Sequence, residues 1–277
     1  EEYDAFHWDI EFPEVFGPGS RGGFDVVLGN PPWEQVMLQD KEWFAQRAPE
    51  IANARNQAER GRMIKSLAYD RPELFEAYRH ASRRSQAQSA FPRLSSRFPL
   101  CGVGRINTYA LFAELDRKLA APTGRAGFIV PSGIAMDHST RFFFQDLIQK
   151  NAIFTLYDFE NRKGLFPAVD SRVKFTLLTT RGEKVATRTK PRMAFFNLST
   201  SDIDEEGRAF TLTGDDVELL NPNPLPCPVF RGVKDLELSK AAYRRVPVLL
   251  REKNERQEEA NPWDVSFLRD RKSTSLN

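Results

Sequence analysis

The residues best suited to chemistry form one short run, Asn30-Pro31-Pro32-Trp33. It follows Phe24-Asp25-Val26-Val27-Leu28-Gly29, an apolar stretch closed by glycine that reads as a buried parallel strand. Two proline rings fix φ and remove two N–H donors, so a loop at the carboxyl end of that strand is stiff. Ligands of open α/β sheets bind outside such strand ends. There the Asn30 side-chain carbonyl and the Pro31 main-chain carbonyl can both accept hydrogen bonds from one planar amino group. Such an arrangement holds an –NH2 and leaves its nitrogen lone pair more available for attack. Trp33 offers a flat face for the ring that bears the amino group. A Pro-Pro pair after a strand also serves as a plain turn, and a Trp as a plain core residue. The strand directly upstream favours the chemical reading.

Other constellations carry less. Asp158, Glu160 and Lys163 have the composition of a metal-dependent nuclease site, a pattern common by chance. His7, His80 and His138 are scattered and near no cysteine pair, so no zinc site is expected and no metal is assigned. Cys101 and Cys227 are the only cysteines, which suits a reducing cytoplasm and leaves no disulfide framework. The glycine runs Gly17-Pro18-Gly19 and Cys101-Gly102-Val103-Gly104 do not follow a strand and read as ordinary loop glycines.

The elements that must position the Asn30 run follow from periodicity. Phe6 to Phe16 is read as a further strand interrupted at Pro13, and Glu34 to Phe91 as polar and helical. Trp43, Phe44, Ile51, Met63, Leu67, Leu74, Phe75 and Tyr78 are its candidate buried positions, and Ser82 to Leu100, rich in Ser, Arg and Pro, reads as a loop. Helices are expected over Asn107 to Leu119 and His138 to Lys150. Strands are expected over Arg125 to Val130, Ala152 to Phe159, Val173 to Thr180 and Arg192 to Leu198. The alternation predicts an α/β sheet with helices on both faces. The predicted organisation is a catalytic part over residues 1–200 with a helical insertion at about 34–105, then a connector and the start of a second module over 201–277.

At 277 residues the chain can bury a real core, and no run of eighteen apolar residues or signal-peptide pattern is present, so no membrane partner is expected. A net charge of +2 neither favours nor excludes nucleic acid. Its distribution says more: between Lys41 and Arg105 basic residues outnumber acids, which fits a phosphate-contacting surface or simply a solvated helical face.

The Asn-Pro-Pro-Trp block with its surroundings resembles the N6-adenine DNA methyltransferases, and within them the restriction–modification methylases of the Eco57I type. The resemblance runs through Phe6-His7-Trp8, Phe12-Pro13-Glu14-Val15-Phe16 and Gly23 to Glu34. It continues in Asn107 to Phe112, Gly127-Phe128-Ile129-Val130-Pro131 and Leu165-Phe166-Pro167. It implies a partial Rossmann-like class I methyltransferase sheet, S-adenosylmethionine as methyl donor and double-stranded DNA as partner. It further implies that Asn30 and Pro31 bind the adenine amino group with Pro32 stiffening the loop, that Trp33 stacks on an extruded base, and that Phe166 contacts that base. Asp9 or Glu11 would hydrogen-bond the cofactor's adenosine, although their spacing to Asn30 departs from shorter relatives. In this family a glycine-rich cofactor loop precedes the Asn-Pro-Pro block, so the chain is expected to be an excised piece, inactive alone. Methyltransferases acting on a protein glutamine amide or on RNA guanine share the Asn-Pro-Pro device, and a non-catalytic DNA-binding module is a rival of another class.

Overall fold

The computed structural model describes residues 6–182, 190–223, 227–253 and 259–266. In chain order it forms helices α1 (Trp8–Glu11) and α2 (Pro13–Phe16), strand β1 (Phe24–Gly29), then α3 (Asp40–Ala45), α4 (Pro49–Ala52), α5 (Gln57–Asp70), α6 (Pro72–Leu94) and α7 (Thr108–Leu119). Strand β2 (Ala120–Pro131), α8 (Gly133–Met136), α9 (Arg141–Gln149), β3 (Ile153–Glu160), β4 (Lys174–Arg181), β5 (Arg192–Asn197), α10 (Gly214–Leu220) and α11 (Val233–Arg245) follow. Two compact units result, one of residues 1–29 with 117–277 and one of Asn30–Asp116. No helix among the described residues is long and apolar enough to cross a membrane.

The first unit is an α/β domain built on one sheet of order β1-β2-β4-β3-β5. β1 and β2 run parallel, as do β3 and β5, while β4 is antiparallel to both of its neighbours. β1, β2, β3 and β5 therefore share one direction, and their carboxyl ends lie at one edge of the sheet. β4 runs against them because no α-helix separates it from β3, and a chain that turns back through a loop can only pair antiparallel. β2 alternates as a half-buried strand should, with Ala126, Phe128 and Val130 buried. Phe143, Phe144 and Leu147 of α9 are buried too, one helical face as the apolar spacing predicts. The predicted helix there begins as a short 3-10 turn at His138–Thr140.

Two expectations for this unit fail. Phe6 to Phe16 is not a strand but two four-residue helices. The aromatic residues decide this: Trp8 and Phe12, four apart, stack at 5.8 Å, and Phe12 and Phe16 each set an edge against Phe24 at 5.3 Å. Pro13, read as an interruption, opens α2 at the position where its missing N–H costs nothing. β1 is parallel as predicted but not buried, since Val26 and Leu28 are 62% and 79% exposed. It closes the sheet on one side, and an apolar run does not reveal whether anything covers it. The approach to β1 is nonetheless tight. A Cβ on Gly23, whose φ is +148°, would stand 2.5 Å from the Ala121 nitrogen.

The second unit has its own core of Phe44, Ala48, Ile51, Ile64 and Leu67, with Trp43, Met63, Leu74, Phe75 and Tyr78 packed against it. All eight predicted positions thus point inward. Its entry and exit are stitched together: Gln35 and Asn107 form an antiparallel bridge, the Val36 N–H donates to the Ile106 carbonyl at 3.0 Å, and the Thr108 N–H donates to the Glu34 carbonyl at 2.9 Å. The loop expected over Ser82 to Leu100 is helical as far as Leu94. Arg, Gln and Ala are good helix formers and continue the turns begun at Pro72, while Pro92 sits in the last turn. Much of the positive charge in this unit serves the fold. Arg60 donates to the Ile51 and Ala52 carbonyls at 3.2 and 3.3 Å, capping α4. Arg71 bonds Glu50 and the Arg47 carbonyl, and Arg93 reaches the Gly104 carbonyl at 2.7 Å. Arg62, Lys65 and Arg83 stand exposed.

Candidate functional site

β1 ends at Gly29, paired with Phe128 of β2, so the Asn30 run begins where the strand's carboxyl end stops. The sequence-predicted position, directly after a parallel strand, is therefore the observed one. Asn30 is exposed, Pro31 buried, and Trp33 37% exposed. The loop is fastened by a residue to which the sequence pointed only as the start of a helix. The Thr108 hydroxyl lies 2.6 Å from the Pro32 carbonyl and 3.1 Å from that of Glu34, and accepts the Glu34 N–H at 3.0 Å. One side chain thus holds the backbone on both sides of Trp33. Proline supplies the stiffness and Thr108 the address.

Phe166 lies in the loop between β3 and β4 and is 40% exposed. Its ring stands edge-on to Phe175 at 5.0 Å, and Phe175 is stacked on Phe159 at 5.3 Å. An accessible aromatic face on a packed aromatic base is suited to receiving a planar ring. Its backbone is held by Asn161, which sequence reading missed. Asp158, Glu160 and Lys163 on either side drew attention, but a lone asparagine gives no spacing signal.

Those acidic neighbours belong to separate networks. Asp158 is buried and accepts the hydroxyls of Ser132 and Thr176, the latter at 3.2 Å. Burial raises its carboxyl above the usual range, outweighing those hydrogen bonds and Lys174. The Cys227 thiol is pushed up as well, by burial and by the charge of Asp158. Glu160 instead pairs with Lys174 at 2.7 Å and Arg162 at 2.6 Å, and the Lys174 contact holds it below the ordinary carboxylate value. Two carboxylates so committed make no nuclease pair. Among the described residues no group of three or more His, Cys, Asp or Glu could hold a metal ion.

Asp9 and Glu11 are both exposed on α1, a helix fastened by aromatic contacts to the start of β1. Neither glycine run offers a nucleotide cradle: Gly17 and Gly19 precede β1, and a Cβ on Gly102 would stand 2.3 Å from the Pro92 carbonyl oxygen. Gly102 is spent on packing within its own unit.

Residues 1–64 match the family model described as Eco57I restriction-modification methylase, the family whose catalytic block the Asn30 run resembles. No curated protein matches the chain. Among solved structures, a type I restriction-modification methyltransferase subunit from Streptococcus thermophilus is similar at 12% identity, covering 70% of this chain and 36% of that one, with a TM-score of 0.37. The type IIG restriction endonuclease BpuSI is similar at 17% identity over 61% of this chain and 15% of its own, TM-score 0.34. A class I S-adenosylmethionine-dependent methyltransferase from Listeria monocytogenes is similar at 19% identity over 40% of this chain and 34% of its own, TM-score 0.31. The chain spans well under two thirds of these proteins, and at such values the likeness carries no argument about activity.

Proposed function

We propose, from the match of residues 1–64 to the Eco57I restriction-modification methylase family, that this chain carries the methyl-acceptor site of a DNA methyltransferase acting on adenine N6. The setting would be restriction–modification or phage defence, with double-stranded DNA as partner and the cytoplasm as compartment. The observation that carries the reading is the proline-stiffened loop at the carboxyl end of β1, pinned through the Pro32 carbonyl by Thr108. An adenine inside a duplex cannot present its amino nitrogen, so the base must be extruded. The Asn30 side-chain carbonyl and the Pro31 carbonyl accept the two amino hydrogens. This fixes the nitrogen and directs its lone pair outward. Trp33 stacks on the purine, and the family resemblance assigns a base contact to Phe166 as well. S-adenosylmethionine, when bound, supplies an activated methyl group, with Asp9 or Glu11 holding its adenosine. The chain contributes position and electrostatics, and no side chain need act as nucleophile.

The test is mass-spectrometric detection of N6-methyladenine in unmethylated DNA incubated with S-adenosylmethionine and the full-length protein, beside its Asn30→Ala variant. Methylation by the wild type, lowered by about 10²–10³-fold in the variant, is expected, the scale at which loss of one preorganised polar contact acts in other enzymes. A folded wild-type protein that methylates RNA or a glutamine peptide but not DNA would overturn the reading.

A further inference from the structure

The loop that carries Phe166 is organised around one buried amide. Asn161, directly after β3, is 1% exposed. Its Nδ2 donates to the carbonyl of Phe166 at 3.0 Å and to that of Val169 at 2.8 Å, with the Asp170 carbonyl sharing at 3.4 Å. Its Oδ1 accepts the Phe166 N–H at 2.9 Å. Both polar backbone atoms of Phe166 are therefore bound to the same side chain. The Asn161 N–H donates to the Val173 carbonyl at 3.0 Å, which ties the amide to the mouth of the β3–β4 hairpin. Gly164, at φ +71°, makes the turn that brings the chain back over Asn161.

A side chain that bonds the N–H and C=O of one residue fixes the direction of its Cα–Cβ bond. The Phe166 ring has only two further torsions, and Phe175 limits them from one side. We infer that Asn161 is a positioning residue for base binding, acting through the backbone of Phe166 to hold its exposed ring ready for a purine. This rests on the methyltransferase reading and names a residue that the reading does not need. The amide is suited to the task because it donates and accepts at once. A carboxylate would offer no donor to the Phe166, Val169 and Asp170 carbonyls, and a hydroxyl would not span them.

The test is a double-mutant cycle on the rate of DNA methylation by the full-length protein, with folding followed by circular dichroism. Phe166→Ala should lower kcat by about 5- to 150-fold, the range that corresponds to loss of one base–aromatic stack. Asn161→Ala should lower it comparably, with the KM for S-adenosylmethionine unchanged, and the double variant should be no worse than the poorer single one. Independent losses that multiply, or a kcat within twofold of wild type for Asn161→Ala, would overturn the inference. Should Asn161→Ala fail to fold, the isosteric Asn161→Asp carries the same expectation, since it keeps the acceptor and removes the donors. A harmless Phe166→Ala beside an inactive Asn30→Ala would sink this inference and leave the methyltransferase reading standing. A wild type that does not methylate DNA would sink both.

Discussion

Two loops in this protein leave the carboxyl ends of parallel strands, after β1 and after β3, and each presents a partly exposed aromatic ring, Trp33 or Phe166. They are held by opposite means. Asn30 to Trp33 is stiff before any contact forms, because the restriction lies in the covalent rings of Pro31 and Pro32. Thr108 then fastens it through hydrogen bonds that are largely exposed. The loop after β3 has no such stiffness in its first half, and its shape is imposed by a single buried amide. Preorganisation of the first kind acts on the unfolded chain, whereas the second kind exists only in the folded one.

Substitutions can break or sharpen this contrast. The largest effect on stability is expected from Asn161→Ala, about 2–4 kcal/mol, since several hydrogen bonds of about 1 kcal/mol each, made by a buried amide, are lost together. Urea unfolding of the full-length protein measures it, and a loss below 1 kcal/mol would show that the loop holds itself. Thr108→Val, which keeps the shape and removes the hydroxyl, should cost about 1 kcal/mol on the same scale. Pro32→Ala should cost less, about 0.4–1 kcal/mol, by freeing the unfolded chain. If Pro32→Ala proved the most damaging of the three, the assignment of stiffness to covalent restriction on one side only would be wrong in scale.

The smallest expected effect concerns pH. Asp170, in the second loop, is held below its ordinary value mainly by the Arg172 side chain and then by the Arg172 N–H. A depressed folded-state pKa contributes stability that is present above about pH 3.8, the unfolded value, and is lost as pH falls through the folded one. The second loop should therefore loosen on acidification. A carboxyl-carbon NMR titration should place Asp170 below the normal range, and Arg172→Gln should raise it towards that range, the bond from the residue 172 N–H remaining. An unchanged titration in that variant would remove the Arg172 side chain as the cause.

How much of this was legible beforehand depends on where each restriction is stored. The Asn30 run and its strand could be read because apolar residues and proline act locally, and Pro31 and Pro32 carry their φ with them. That β1 lies open at Val26 and Leu28 could not be read, since exposure depends on neighbours rather than on the run itself. The stretch from Ser82 to Leu94 misled because serine and proline suggest a loop, while the helix started at Pro72 extends through residues that merely tolerate it. The segment from Phe6 to Phe16 misled for the converse reason. Its aromatic residues suit a strand, and the four-residue spacing of Trp8 and Phe12 decides for helix only once Phe24 is there to receive them. Asn161 was the least visible. Its targets at 166, 169 and 170 have no fixed spacing, and the loop that gathers them is the product of the contact.

The bridge between Gln35 and Asn107 bears on how the strand that ends at Gly29 can be assembled. As an open chain, residues 30–116 would make the pairing of β1 with β2 a long closure, and its entropic cost rises with the logarithm of the loop length. With their own core formed and their ends stitched between Glu34 and Thr108, the same residues behave as a short connection. The cost of closure then falls on a few residues at either side. The insert becomes a part that can be lengthened or exchanged beyond the stitch without raising the cost of joining β1 to the sheet.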